Sequence, residues 1–393
     1  MAVTRGHRLR HAHAHRARHG VRPMIAITGW TIPALIIGLV CLVAGAEFLV
    51  KGAASIAARL GIAPVVVGLT VVAFGTSAPE FAVSASAALS GETDVALGNV
   101  VGSNIVNILL ILGASAVVGG LVVSARIIRL DIPIMIGVGV LALVLSLDNS
   151  IGRIDGVILF LGIIVYTVWL IRAARREKQG VVDEFEKGTE EVEGSIKDKP
   201  LIVQIGLVIV GLGILIVGSQ LLVNSATDIA TDLGVSELVI GLTVVAVGTS
   251  LPEFATSMLA AFRGERDIAV GNVVGSNIFN LLCVLGASGV LASDGIPVTD
   301  GALRLDYPVM IAASFVLLPI VWNGFKIKRW EGLLLCAFYV VYVVYLILDS
   351  NDHDAQDVVG PAALIVSGLV LLTFCVTGYQ GWRRHRASGA TLA

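Results

Sequence analysis

Residues 68–113 read GLTVVAFGTSAPEFAVSASAALSGETDVALGNVVGSNIVNILLILG, and residues 241–286 read GLTVVAVGTSLPEFATSMLAAFRGERDIAVGNVVGSNIFNLLCVLG. They align without a gap at an offset of 173, and 32 of the 46 positions are identical. Self-similarity of this kind marks a duplicated structural unit. The match weakens outward but persists: Leu49-Val50 faces Leu222-Val223, and Arg129-Leu130-Asp131 faces Arg304-Leu305-Asp306.

The surroundings of the two strings are apolar. Of the residues, 56% are hydrophobic and 14% charged, with a mean hydropathy of +0.90. A soluble domain carries about a quarter charged residues. Eleven apolar segments follow one another, near 31–56, 61–88, 95–121, 131–148, 154–173, 200–226, 235–261, 268–292, 306–323, 330–348 and 359–380. A helix of about 20 apolar residues spans a hydrocarbon core, and the short alternating segments of a membrane β-barrel are absent. The reading is an all-α polytopic membrane protein. The 44 glycines suit helices that approach closely in lipid.

Each half holds five segments: a first repeat over 31–173 and a second over 200–348. Because five is odd, the second half enters the bilayer from the opposite side. The expectation is two inverted five-helix repeats, ten transmembrane helices, with 359–380 as one additional C-terminal helix. Inverted repeats are the architecture of many secondary transporters. The charged stretch 174–199 reads as a cytoplasmic linker, with ion sensing the second reading. Placing it inside also gathers Arg59, Arg126, Arg129, Arg263, Arg266, Lys326, Lys328, Arg329 and the C-terminal Arg383, Arg384 and Arg386 there. The outside keeps Arg153 and Arg304 with the acidic run Asp349 to Asp357, as the positive-inside rule requires.

The tail 1–23 violates that rule. It holds six arginines and five of the seven histidines, and falls outside in this topology. It reads as a solvated basic tail or as translated sequence upstream of a start at Met24, with metal capture by its His-Ala-His-Ala-His run the sharper alternative. Cys41, Cys283, Cys336 and Cys375 lie in apolar stretches without metal-type spacing and read as small core residues.

Each repeat carries a helix-breaking string inside an apolar span: Gly75-Thr76-Ser77-Ala78-Pro79-Glu80 and Gly248-Thr249-Ser250-Leu251-Pro252-Glu253. Proline removes a backbone hydrogen bond and pushes against the carbonyl four residues earlier. Carbonyls around Ala73 to Thr76 and Ala246 to Thr249 are thereby freed, which at membrane depth is tolerated where they line a cavity. Glu80 and Glu253 follow at once, and an ionisable residue within a span marks function by default. A protonated glutamate bonded to a neighbouring helix is the bland alternative. Thr76 and Ser77 lie four and three residues before Glu80, on one helix face. On the next helix Asn99, Ser103 and Asn107, mirrored by Asn272, Ser276 and Asn280, form a polar stripe. Ser103, Asn107, Ser276 and Asn280 read as ligands; Asn99 and Asn272 read more as interhelical hydrogen bonding. Gly98, Gly102, Gly271 and Gly275 would let this helix press against its neighbour. Asp131 and Asp306, two residues before Pro133 and Pro308, read as helix N-caps.

The donor set is carboxylate, hydroxyl, amide and carbonyl oxygen, without thiolate or imidazole. Such a set selects hard cations such as Ca²⁺, Mg²⁺ or Na⁺. Two negative charges neutralise one Ca²⁺ or two Na⁺, so the loads compete for one site.

The paired GTSxPE and GNVVGSNxxN strings resemble the cation/calcium antiporter superfamily, in the compact prokaryotic form of its sodium/calcium exchanger branch, over about residues 31–348. The resemblance implies Glu80 and Glu253 as central ligands, with carbonyls from Ala73, Thr76, Ala246 and Thr249. It implies hydroxyls from Ser77, Ser250, Ser103 and Ser276, completed by Asn107 and Asn280. Well-studied members carry an aspartate where this chain has Asn280. The implied activity is secondary active antiport of calcium against sodium by alternating access, in a prokaryotic cell (inner) membrane. A calcium/proton or other divalent-cation antiporter is the alternative. The implied partners are inorganic cations and the lipid bilayer, with no cofactor, nucleic acid or obligate protein partner, and no GxxxxGK[ST] phosphate loop is present. An intramembrane enzyme using Glu80 and Glu253 as acid and base is the rival from another class. Two sites of equal composition suit a symmetric cage better than the unequal carboxyls of acid/base work.

Overall fold

The structure, a computed structural model, describes residues 30–177, 200–233, 246–322 and 324–350. The basic tail, nearly all of the charged linker and the additional segment 359–380 lie outside the described residues, as does the start of the seventh apolar segment. In chain order the helices are α1 (Thr31–Leu60), α2 (Pro64–Thr76), α3 (Ala78–Ser90), α4 (Thr93–Gly119), α5 (Ile127–Leu145), α6 (Arg153–Glu177), α7 (Leu201–Asp232), α8 (Ala246–Thr249), α9 (Leu251–Phe262), α10 (Arg266–Leu291), α11 (Ala302–Trp322) and α12 (Arg329–Ser350). Among the described residues eight helices are long and apolar enough to cross a membrane, or up to nine when α2 and α3, bent by 45°, count as one span.

The molecule is apolar outside and polar within. Helices α1, α6, α7 and α12 leave most of their apolar windows uncovered, with Val43, Val165, Ile209 and Val340 exposed. Glu80, Glu253, Asn107 and Asn280 have no exposure at all. Large apolar patches left open to water cost about 25 cal/mol per Å², whereas in hydrocarbon they cost nothing, so the chain is an integral membrane protein. Helix α10 is buried along its whole window and α4 along most of its own. These two duplicated helices form the centre.

Helices α1 and α7 run antiparallel along each other on the periphery through a seam of glycines. A Cβ added to Gly45 would stand 2.8 Å from the Gly211 carbonyl oxygen, and one on Gly38 2.9 Å from that of Gly218. Any side chain larger than hydrogen would force the backbones apart. Helix α10 presses as closely on α2: a Cβ on Gly271 would lie 2.9 Å from the Val65 oxygen, and one on Gly275 2.8 Å from the Leu69 Cα. The sequence led us to expect the same of Gly98 and Gly102. Neither has a neighbour within 4 Å among the described residues, and the repeat counterparts of Val65 to Phe74 fall largely outside those residues.

Two short antiparallel bridges tie the halves together. Strand β1 (Leu121–Val122) pairs with β4 (Lys326–Ile327), and β2 (Ser150–Ile151) with β3 (Ile296–Pro297). Each bridge continues by one bond, Val123 N–H to Phe325 O and Val298 N–H to Asn149 O, both 2.8 Å. The accepting residues, Phe325 and Asn149, are the two non-glycine residues with positive φ among those described. Every contact of the first bridge thus recurs in the second with the repeats exchanged.

The N-cap reading of Asp131 and Asp306 is overturned. Helix α5 begins at Ile127 and α11 at Ala302, so both aspartates sit inside continuous helix, and Asp131 makes no capping bond. Their carboxylates instead accept from tyrosine hydroxyls on the following helix of each half, Tyr166 at 3.1 Å and Tyr342 at 2.8 Å. A stretch of π-helix directly before each aspartate carries the chain past the proline without a break.

Candidate ion site

The two prolines act as their position dictates. Pro79 and Pro252 lie in the first turns of α3 and α9, where a missing N–H costs nothing. The helices before them stop at Ser77 and Ser250, whose backbones leave the helical region in the same way, at φ −83°, ψ 9° and φ −87°, ψ 9°. Glu80 and Glu253 therefore stand in the first turn of a new helix, where the N-terminal end favours negative charge. The Ala73 carbonyl, expected to be freed, still accepts from the Ser77 N–H at 3.0 Å. The Thr76 hydroxyl also approaches it, at 3.4 Å, so a cation would have to share this oxygen with two donors. Ala246 opens α8 in the matching position.

The two breaks meet at the centre, and each carboxylate is held by the opposite repeat. Ser77 donates to Glu253 Oε1 at 2.8 Å, and Ser250 to Glu80 Oε1 at 3.0 Å. Ser276 approaches Glu253 Oε1 at 3.5 Å. The other carboxylate oxygens, Oε2 of Glu80 and of Glu253, are buried without a hydrogen-bond partner among the described residues. So are Ser103 Oγ, Asn107 Oδ1, and both Oδ1 and Nδ2 of Asn280. Each buried acceptor left unpaired costs about 1–3 kcal/mol, and a bare carboxylate costs more. Carboxylate, hydroxyl and amide oxygens of this kind are the donors that hard cations take.

Asn99 and Asn272 stand beside the cage as braces. The Asn99 amide donates to Ser84 Oγ at 2.9 Å and to the Glu80 carbonyl at 3.2 Å, while Asn99 Oδ1 accepts from Thr249 Oγ1 at 3.1 Å. Asn272 repeats this with Ser257 at 2.9 Å, the Glu253 carbonyl at 3.4 Å and Thr76 at 3.1 Å. Thr76 and Thr249 thus spend their hydroxyls on the opposite repeat's asparagine, which leaves their carbonyls as the groups able to take a cation.

In both α4 and α10 the helix widens into a π-turn whose first residue belongs to the stripe: Asn107 over Asn107–Leu112, and Asn280 over Asn280–Leu285. Such bulges recur at functional sites because they turn side chains off the regular helical path.

Two residues at the site escape the fourfold spacing of the stripe. Asn104 and Asn277 are 1% exposed and pack where α4 and α10 meet. Asn107 Nδ2 donates to Asn277 Oδ1 at 3.0 Å, and the Asn277 amide reaches the Asn104 carbonyl at 3.4 Å and Met135 Sδ at 3.6 Å. The signal was available: both asparagines lie in the identical string GNVVGSN, three residues before Asn107 and Asn280.

Comparison with known proteins places both halves of the chain in one family. The family model described as sodium/calcium exchanger protein matches residues 30–172 and 203–348. The putative antiporter CaxA of Alkalimonas amylolytica is 38% identical over 80% of this chain and 98% of its own length. The inner membrane protein YrbG of Escherichia coli K12 is 36% identical over 79% and 95%. The sodium/calcium exchanger MaX1 of Methanosarcina acetivorans is 34% identical over 79% and 97%. Among solved structures, the sodium-calcium exchanger NCX_Mj soaked with Na⁺ and Ca²⁺ superposes with a TM-score of 0.68 at 31% identity, covering 80% of this chain and 97% of its own.

Proposed function

The chain belongs to the sodium/calcium exchanger protein family, and on that premise we propose that it exchanges calcium for sodium across a prokaryotic inner membrane by alternating access. The observation that carries the reading is the pair of buried carboxylates, each held through one oxygen by a serine of the other repeat, with the second oxygen unpaired. The cage is Glu80 and Glu253 with the hydroxyls of Ser77, Ser103, Ser250 and Ser276. The amides of Asn107 and Asn280 and the carbonyls of Ala73, Thr76, Ala246 and Thr249 complete it. Calcium takes six to eight oxygens in a flexible shell, and two carboxylates neutralise one Ca²⁺ or two Na⁺. Because the same oxygens serve both ions, loading one requires release of the other, and transport is coupled.

The architecture proposed with this activity is ten transmembrane helices in two inverted repeats, 31–173 and 200–348, with 359–380 as an eleventh. The bridges support it by parity. Leu121 and Ile327 share one face only when an even number of spans separates them, and that holds when segment 235–261 crosses the bilayer.

The deciding experiment is initial-rate calcium uptake into proteoliposomes. Sodium loaded inside the vesicles should drive calcium uptake, the reversed sodium gradient should drive calcium efflux, and sodium should inhibit calcium competitively while potassium does not. Uptake that ignores sodium but follows a proton gradient would replace this reading with calcium/proton antiport.

A further inference from the structure

Asn107 and Asn280 are repeat counterparts, yet the structure treats them differently. The Asn107 amide nitrogen is pinned by Asn277 Oδ1 at 3.0 Å. Among the described residues neither end of the Asn280 amide has a hydrogen-bond partner, and Asn104 Oδ1, the counterpart of the pinning atom, has none either. The Asn104 amide turns instead to Met310 Sδ at 3.7 Å.

We propose that Asn277 is a positioning residue for ion binding: it selects which end of the Asn107 amide faces the cation. This rests on the cage assigned above. In an amide the oxygen and nitrogen lie on opposite sides of one carbon, and only the oxygen carries lone pairs. With Nδ2 committed to Asn277, Asn107 Oδ1 is directed the other way, where it is buried and without a protein partner. A flipped amide would set two N–H donors against a cation. Asn277 is held in turn, because its own amide donates to the Asn104 carbonyl at 3.4 Å, which leaves Oδ1 as the end that meets Asn107. The first repeat therefore presents a fixed oxygen, while no hydrogen bond among the described residues fixes which end of the Asn280 amide faces the cage.

The test is binding of radioactive calcium to the purified full-length protein, which does not depend on the counter-ion. Asn277→Ala should weaken binding about threefold to tenfold, the range one interhelical hydrogen bond in a membrane supplies. Asn107→Ala should weaken it at least as much. The double variant should match Asn107→Ala alone, because both changes remove one oriented oxygen. Asn277→Asp keeps an acceptor for the Asn107 amide and loses the donor to the Asn104 carbonyl, so it should bind at least as well as the parent. Additive losses in the double variant, or an Asn277→Asp protein as weak as Asn277→Ala, would show a helix brace and overturn the proposal. An unshifted Asn107→Ala would overturn it together with the place of Asn107 in the cage. Loss of sodium-driven uptake with the binding pattern intact would fail the exchange reading alone.

Discussion

At the scale of the residue, the proposed cage draws its charge from two carboxylates. Glu80→Gln or Glu253→Gln removes half of the site's negative charge and leaves the other carboxylate to balance a divalent ion. Removing one partner from a buried charge pair costs roughly 3–5 kcal/mol, so either variant should lower calcium affinity by more than about a hundredfold. Both should remain inserted and folded, which size-exclusion of the purified protein checks; normal uptake by either would refute the site. Asn280→Asp acts in the opposite sense, adding a carboxylate where both atoms of the amide are unpaired. A charged acceptor contributes roughly 1 kcal/mol more than a neutral one, so the sodium concentration that half-inhibits calcium uptake should shift by about fivefold. Superimposable sodium curves would remove Asn280 from the cage. The carboxylates, the prolines and the stripe were legible in the sequence because each depends on local spacing and occurs twice. The Asn107–Asn277 bond was not, since its partners lie 170 residues apart and it forms only where the two central helices cross.

At the scale of the element, the same contrast governs the helices. The breaks at Ser77 and Ser250 fall where proline allows them, two residues before Pro79 and Pro252. The fate of Asp131 and Asp306 depended on tyrosines 35 and 36 residues away, and local spacing wrongly suggested caps. The seam between α1 and α7 depends on glycines facing each other, so its tolerance is position-specific. Gly45→Leu drives a side chain into the Gly211 carbonyl, and such overpacking costs about 1–3 kcal/mol. The melting temperature in detergent should fall by several degrees. Gly206→Ala and Gly213→Ala lie on α7 with nothing within 4 Å among the described residues, and should leave it unchanged or slightly raised. Equal losses at all three positions would mean that close approach of α1 and α7 is not what sets the glycine requirement, since helix propensity favours all three replacements. One contact ties the pair to the site unequally: Ser219 on α7 donates to the Gly248 carbonyl at 2.7 Å, whereas its repeat counterpart on α1 is Ala46, which has no hydroxyl to give.

At the scale of the whole molecule, the duplication has a consequence that can be measured without transport. In the proposed topology two five-span halves enter from opposite faces, so positions equivalent in sequence would lie on opposite sides. The cationic loops sort accordingly: Arg126 and Lys326 flank strands β1 and β4, which are paired in space, while the β2–β3 bridge joins the loops that hold Arg153 and the acidic Asp294 and Asp300. Lys and Arg in short loops are retained on the cytoplasmic side, so the proposed orientation has the first bridge inside and the second outside. A reporter fused after Phe185, in the linker outside the described residues, should then be cytoplasmic. One fused at Asp354, beyond the end of α12, should be external, because five spans separate the two points. An alkaline phosphatase reporter is active only outside and a fluorescent protein only inside, so the pair of fusions must give opposite signals with each. Identical signals at both points would require an even number of spans in the second half. The segment 235–261 would then fail to cross, and Leu121 and Ile327 would be left on opposite faces, where no backbone pairing between them is possible.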